Sequence, residues 1–372
     1  MSYHPVMEHI RTGRTGWAVD QARALGFDMA GVVAESRSRQ MARFREWLET
    51  GMHGTMAYLA RPDAVRRRGD LDLTLPTFRS ALVVAHSYAG PNPTTSPGDP
   101  ARAIFARYAR GRDYHHVIAE KLEELGRRLE RAAGHAVRRR VYVDTGPLLE
   151  RELAARAGLG WFGRNTMLIH PRHGSYFFLG VLLTDLALEP TTPFADDHCG
   201  TCRRCLDACP TGALLGRDDS GAPVMDAARC ISYLTIELRG PIPEELRPAI
   251  GNRVYGCDIC QEVCPWNEKF SAPATEPGYA PRADLDGASL VGLAERLLAM
   301  SGKAFLREFR DSPVSRARRN GLLRNVCVAL GNWGAEEAMP VLERAARDRS
   351  ALVREHAEWA LERIRTGAGG QS

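Results

Sequence analysis

The string CGTCRRCLDACP, residues 199–210, sets Cys199, Cys202, Cys205 and Cys209 ahead of Pro210 at the spacing C-x2-C-x2-C-x3-C-P. A second string, CDICQEVCP at 257–265, repeats the pattern without its first cysteine, giving Cys257, Cys260, Cys264 and Pro265. Cys230 lies between them and can supply the missing thiol. Eight cysteines so spaced suit two [4Fe–4S] cubanes, each held by four thiolates. Three cysteines at three-residue steps wrap one cluster, because the backbone between them curls round it and turns its N–H groups to the sulfurs. The cysteine before proline then crosses to the other cluster. This logic assigns Cys199, Cys202, Cys205 and Cys264 to one cluster, and Cys209, Cys230, Cys257 and Cys260 to the second. Zinc is the plainer alternative, but it prefers separated C-x2-C pairs that close four-ligand sites. Disulfides fit less well still, since nothing marks the chain as exported.

A chain of 372 residues divides into two or three domains, and 44% apolar content is enough for packed cores. The net charge of +5 is carried largely by arginine clusters: Arg66 to Arg68, Arg138 to Arg140, and Arg316, Arg318 and Arg319. Such clusters permit a polyanionic partner, although solvated faces explain most charge runs. The first ten residues, MSYHPVMEHI, contain no apolar signal core and no twin-arginine leader. No run of about eighteen apolar residues follows, so no membrane span is expected. A cytoplasmic chain is the expectation. The ninth cysteine, Cys327, falls on an apolar helical pattern and reads as a buried structural thiol.

Periodicity and breakers predict a helix over 17–28 that ends near Gly26, a short buried strand from Ala30 to Ala34, and a helix from Arg39 to Thr50. His53, between Gly51 and Gly54, reads as a loop residue. Ala81 to Ala85 is an apolar strand, and the proline-rich stretch from Gly90 to Pro100 is irregular. Ile104 to Tyr108 is a further strand candidate. Asp113 to Ala133 is an amphipathic helix, with Val117, Leu122, Leu125 and Leu129 at helical spacing. Val141 to Val143 is a strand that leads to Asp144, and Thr145, Gly146 and Pro147 read as the start of a helix that Gly158 ends. Met167 to Ile169 and Tyr176 to Leu183 are strands. The alternation argues an α/β or α+β sheet domain. Beyond residue 285 the chain is helical. Ala329-Leu330 recurs as Ala360-Leu361, and with a helix from Ala335 to Arg347 this suggests a short run of HEAT-type repeats.

A pair of clusters moves single electrons and performs no bond chemistry alone. The chain is therefore either an electron carrier or a reductase with a second centre and a proton source. Asp144, at the end of a strand and before a helix, is the best acid candidate; an aspartate before Thr-Gly-Pro is also a routine helix start. To donate a proton near neutral pH its pKa must rise well above about 3.9, through burial or a like charge.

Several stretches together resemble the epoxyqueuosine reductase family, the cobalamin-dependent iron–sulfur enzymes of queuosine tRNA modification. They are VDTGPLLER at 143–151, AGLGWFG at 157–163, GRDYH at 111–115, CISYLT at 230–235 and YGCDIC at 255–260. The resemblance covers nearly the whole chain. It implies an α/β (α+β) cobalamin-binding core over 1–195, a ferredoxin-like module with two [4Fe–4S] clusters over 196–270, and a helical region with HEAT-like repeats over 271–372.

It further implies reduction of the epoxide of epoxyqueuosine to queuosine at the wobble position of tRNAs with GUN anticodons, those of the Asp, Asn, His and Tyr type. Cob(II)alamin would be reduced through the clusters to a cobalt(I) nucleophile, fed by an external low-potential electron donor, in a protein expected to be monomeric. Asp144 matches the family's proton donor and also a cobalamin contact. Arg68, Leu168 and Ser232 occupy further cobalamin-contact positions, each with a plain alternative: surface charge for Arg68, core for Leu168, a turn hydroxyl for Ser232. The cobalamin signature D-x-H-x-x-G begins at Asp113-Tyr114-His115, but Ile118 stands where glycine is required. A reductive dehalogenase, taking a small organohalide, and a ferredoxin-like electron carrier remain the rival readings.

Overall fold

The computed structural model describes residues 13–90, 98–194, 196–271, 273–285 and 287–367. Most of the proline-rich stretch expected over 90–100 lies outside them. The body is a four-stranded sheet in the order Met29–Val33, Ser80–Ser87, Phe177–Thr184, Arg139–Tyr142. Every neighbouring pair is antiparallel, with Val83 opposite Gly31 on one side and Val181 on the other. The helices lie over an antiparallel sheet, so the arrangement is α+β. The rule that parallel α/β sheets build sites at strand ends does not place Asp144 here.

Both faces of the sheet are covered, which is why its central strands read as unbroken apolar runs. On one face lies the helix Tyr114–Ala133, capped by the Asp113 side chain and ended by Gly134 at φ 72°. Its buried residues, among them Ile118, Leu122 and Leu125, recur at helical spacing and pack on Val84, Phe178 and Leu182. Fully burying each such aliphatic side chain is worth roughly 1.5–3 kcal/mol. Gly180 permits the close approach, since a Cβ there would lie 2.6 Å from the Ile118 methyl. The helix Gly13–Ala24 completes this layer through Ala18, Val19 and Ala22. On the opposite face Leu153 and Ala154 of the helix Glu150–Arg156 pack with Val83, Val181 and Leu183.

That second helix begins later than expected. Residues 144–149 are a bent loop, because Asp144 takes a left-handed φ of 57° and Thr145 N–H turns back to the Val143 carbonyl at 2.6 Å. Asp144 is therefore not a helix cap. The strand expected from Ile104 to Tyr108 shrinks to Ile104–Phe105, followed by a 3-10 turn over Arg107–Ala109. The helix expected over 335–347 is Met339–Ala345, with a 3-10 turn before it.

The helices Leu290–Ala299, Gly302–Glu308, Arg318–Trp333, Met339–Ala345 and Ala351–Arg365 share one apolar core. Arg318–Trp333 is buried nearly all round and also supports the segment before it. Arg324 donates to the Leu234, Leu238 and Gly240 carbonyls, and Asn325 Nδ2 donates to those of Thr235 and Val254. Among the described residues no helix is long and apolar enough to cross a membrane.

Candidate active site

Asp144 leaves the strand Arg139–Tyr142 in a conformation that residues with a Cβ seldom adopt. Among the described residues only Asp144, Thr166 and Arg318 do so outside glycine. The first two flank the same site. The Asp144 N–H donates to Glu150 Oε1 at 2.8 Å, and Arg151 Nη1 donates to the Thr166 carbonyl at 2.6 Å. Two adjacent residues of one helix thus hold both unusual turns. Backbone strain fixed by surrounding bonds is characteristic of places where a side chain must be aimed. The Asp144 side chain is 65% open to solvent. Protein nevertheless surrounds it closely enough for burial to be the largest single influence on its charge.

His115 sets the charge around Asp144. Its Nδ1 lies 2.7 Å from Asp113 Oδ1, while its Nε2 faces Asp144 Oδ2 at 3.7 Å. The ring is stacked on Tyr114, whose own ring is stacked on Phe178 of the sheet. Burial pushes the imidazole pKa down, but the bond to Asp113 and the charges of Asp113 and Asp144 carry it to about 9. Burial also pushes Asp144 up. The nearby charge of His115, with Arg316 and Tyr114 behind it, outweighs that and holds the carboxyl below its usual range. Glu150 goes the other way, raised to about 8 by burial and by the Asp144 charge.

The sequence argument required a raised pKa for Asp144. The raised carboxyl is its neighbour, because the imidazolium lies against Asp144, whereas at Glu150 burial and the Asp144 charge outweigh it. Two carboxyls driven apart by their surroundings are the usual mark of acid–base division. Neither His115 nor Glu150 was singled out from sequence, although both lie in the motifs GRDYH and VDTGPLLER.

The other residues fall round this centre unevenly. Arg68 is buried, with its guanidinium 5.4 Å over the Phe44 ring, so it is not surface charge. Tyr58 lies near enough to act on Arg68 electrostatically, and Arg316 Nη2 approaches the Tyr58 hydroxyl at 3.4 Å. Arg316 also pairs with Glu237, at the end of a π-helical turn that Ser232 precedes, and acts on Asp144. Arg68, Tyr58, Arg316 and Asp144 are thus linked one to the next, whereas Ser232 lies at the other end of the turn that carries Glu237. Leu168 packs into the apolar layer beneath, beside Leu148 and Leu153. Its side chain is core. Arg319, expected with Arg316 and Arg318 to face a polyanion, is buried against Asp348 instead.

The cysteine thiols sort into groups. Burial pushes Cys205 up to about 11, with Cys199, Cys264 and Cys202 adding to it. Burial also raises Cys264, and Cys199 and Cys202 act on it in turn. In the second group burial raises Cys230, on which Cys209 acts, and pushes Cys257 up to about 12, on which Cys230 acts. Cys260 is raised well above its ordinary value, by burial and then by Cys257 and Cys230, with a smaller push from Cys205 of the first group. Crowded thiols in apolar surroundings are poor company for one another as thiolates, and a cation between them relieves that. All nine cysteines are free. Among the described residues no three His, Cys, Asp or Glu side chains converge as closely as a single metal ion requires. A four-iron cube holds its thiolates farther apart than one zinc ion does, which suits these two groups better.

Comparison with known proteins agrees with this geometry. A family described as "4Fe-4S double cluster binding domain" matches residues 198–267, and one described as "Epoxyqueuosine reductase QueG, DUF1730" matches residues 68–145. The epoxyqueuosine reductase of Xanthomonas campestris is 44% identical over 91% of this chain and 93% of its own length. That of Pseudomonas aeruginosa is 43% identical over 92% of each, and that of Escherichia coli K12 is 38% identical over 91% and 86%. Among solved structures, an epoxyqueuosine reductase crystallised with an epoxyqueuosine-modified tRNA-Tyr stem loop superimposes with a TM-score of 0.83 at 33% identity, covering 94% of this chain and 89% of that one.

Proposed function

The chain belongs to the epoxyqueuosine reductase family, and from that premise we propose that it reduces epoxyqueuosine to queuosine in tRNA, at the wobble position of GUN anticodons in tRNAs of the Asp, Asn, His and Tyr type. The observation that carries the proposal is the group of titratable side chains at Asp144. An aimed carboxylate, an imidazole held between Asp113 and Asp144, and a raised Glu150 gather there, in a chain that also has two groups of four thiols.

We assign Cys199, Cys202, Cys205 and Cys264 to one [4Fe–4S] cluster and Cys209, Cys230, Cys257 and Cys260 to the other. The mutual influence of the thiols within each set supports this. The residues are compatible with cobalamin: Arg68 and Asp144 are linked through Tyr58 and Arg316, and we retain Ser232 and the Leu168 strand as further contact candidates. Bound there, cobalamin would supply a strongly reducing nucleophile for the epoxide carbon, recharged through the clusters by an external low-potential donor. This chain's own groups do the remaining work. Asp144 presents a proton to the leaving oxygen, and Glu150 holds the Asp144 loop through its bond to the Asp144 N–H.

We read the helices Arg318–Trp333, Met339–Ala345 and Ala351–Arg365 as HEAT-like repeats. In support, Gly331 packs so closely on Ala360 that an added Cβ would lie 2.8 Å from the Ala360 Cβ. The arginines that remain exposed, Arg316 and Arg318, are suited to phosphates. A complementation experiment tests the function: expression in a bacterium lacking its own epoxyqueuosine reductase restores queuosine to digested tRNA. Persistence of epoxyqueuosine, with folded cluster-loaded protein present, would contradict it.

A further inference from the structure

Taking the oxygen out of an epoxide as water breaks both of its C–O bonds and leaves a C=C bond. The balance requires two electrons and two protons. On the reading above, the electrons come from a reduced one-electron donor through the clusters, and Asp144 can hold one proton at a time. A second proton must reach the same carboxyl within one turnover. We propose that His115 is a positioning residue that orients Asp144 and passes it that second proton from Nε2, in a relay Asp113–His115–Asp144; the proposal rests on the epoxide-reducing function.

The geometry fixes each end of the relay. Asp113 Oδ1 accepts the backbone N–H of His115 at 3.0 Å and lies 2.7 Å from its Nδ1, so one carboxylate oxygen caps the helix and orients the ring. A carboxylate can only accept, so Nδ1 carries a hydrogen in either charge state. Nε2 is then the atom that gains and loses the proton. It is buried, has no hydrogen-bond partner and faces Asp144 Oδ2 at 3.7 Å. An unpartnered buried imidazole nitrogen is costly unless another state of the site uses it. A shift of the Asp144 loop by about an ångström would make a hydrogen bond of this contact. As Asp144 gives its proton to the strongly basic oxygen released from the epoxide, the imidazolium Nε2–H bond breaks and a new O–H bond forms on Asp144, leaving neutral imidazole with its proton on Nδ1; the basicity of that oxygen, not of the carboxylate, drives the transfer. Because Nε2 itself is buried, solvent returns the proton only when the Asp144 loop moves aside, the ring as a whole being partly open.

The surroundings favour a cationic His115. Asp113 lies on its own helix cap, and Asp144 and Glu150 face it from the loop and the next helix, with Arg151 beside them. Tyr114 and Tyr108 are neutral neighbours. His116 is turned to Asp311, which Arg112 also engages. Arg316, with Glu237 and Tyr58 bound to it, stands on the far side of Asp144. The imidazole accordingly stays charged to about pH 9.

Two measurements test the relay. Nitrogen-15 histidine NMR on protein loaded with clusters and with diamagnetic hydroxocobalamin reads the imidazole without tRNA. One histidine should remain cationic at pH 8, vanish in His115→Gln and titrate lower in Asp113→Asn. The single-turnover rate against pH is the second. His115→Gln should stay within about threefold of wild type near pH 6 but fall roughly tenfold or more below it by pH 8.5, where solvent protons are scarce, and added imidazole should restore part of the loss. A His115 that is neutral at pH 7, or superimposable pH profiles, would overturn the relay. If wild type makes no product, the proposed reaction fails and the NMR titration alone decides whether the charged relay exists.

Discussion

Replacing Arg319 with methionine would remove one half of a buried ion pair and leave the other half charged. Arg319 Nη2 lies 2.7 Å from Asp348 Oδ2, with Nη1 at 3.3 Å from Oδ1, and the two side chains are only 5% and 6% exposed. The Arg319 Nε also donates to the Leu297 carbonyl at 2.9 Å, which ties the helix Arg318–Trp333 to Leu290–Ala299. In Arg319→Met, Asp348 would keep only the Ser350 N–H among these bonds. Breaking one side of such a pair costs about 3–5 kcal/mol.

The cost depends on pH with a definite sign. Burial raises the Asp348 carboxyl, but the Arg319 bond more than offsets it, so the folded pKa lies below the ordinary 3.8. The pair's contribution is therefore present above that value and lost as pH falls through the folded pKa. The gap between wild type and variant should be full at pH 7 and should close in acid. Arg319→Met combined with Asp348→Leu should recover most of the loss, because an apolar pair of similar volume removes the stranded charge. Anaerobic urea unfolding of cluster-loaded protein, followed by circular dichroism and cluster absorbance together, reads the midpoints. A loss under about 1 kcal/mol would mean a solvent-exposed pair and refute the reasoning. So would a flattened salt dependence of tRNA binding in the variant, since this arginine is turned away from any polyanion.

Asp144→Asn should keep both clusters and its corrin by absorbance and lose roughly 10²–10⁴-fold in single-turnover rate, the usual span for a removed general acid. Glu150 is raised to about 8, so its contribution to stability is present below its unfolded pKa and is lost as pH rises through 8. Glu150→Gln should therefore be less sensitive than wild type to a pH rise from 5 to 9 in thermal denaturation. Gly54→Ala is strained twice: φ is +57° and the new Cβ would meet the Tyr233 hydroxyl at 2.6 Å. It should cost about 1–3 kcal/mol and, because Cys230 lies three residues before Tyr233, alter the EPR of the second cluster while leaving the first unchanged.

Local features were legible in the sequence. Cysteine spacing records how a short backbone wraps a cluster, and the helix over 114–133 repeats its apolar residues with the period of the face it buries. What depends on distant partners was not. The antiparallel strand order follows from how long connections return to the sheet, and no residue announces it. VDTGPLLER reads as a strand followed by a proline-started helix, yet the helix waits until Glu150 because Asp144 turns left-handed. The lowered pKa of Asp144 was not legible for a similar reason: the imidazole that holds it down comes from a helix twenty-nine residues earlier in the chain. Arg319 looked like its neighbours Arg316 and Arg318, and only the fold brings Asp348 beside it.

The most direct test of the account is a paired single-turnover reaction. Epoxyqueuosine-containing tRNA, cluster-reconstituted protein and a strong reductant are combined with and without cobalamin, and the digested nucleosides are weighed by mass spectrometry. The account predicts loss of one oxygen, giving queuosine, only where cobalamin is present. An unchanged epoxyqueuosine mass in both samples, with clusters and corrin verified in place, would contradict it.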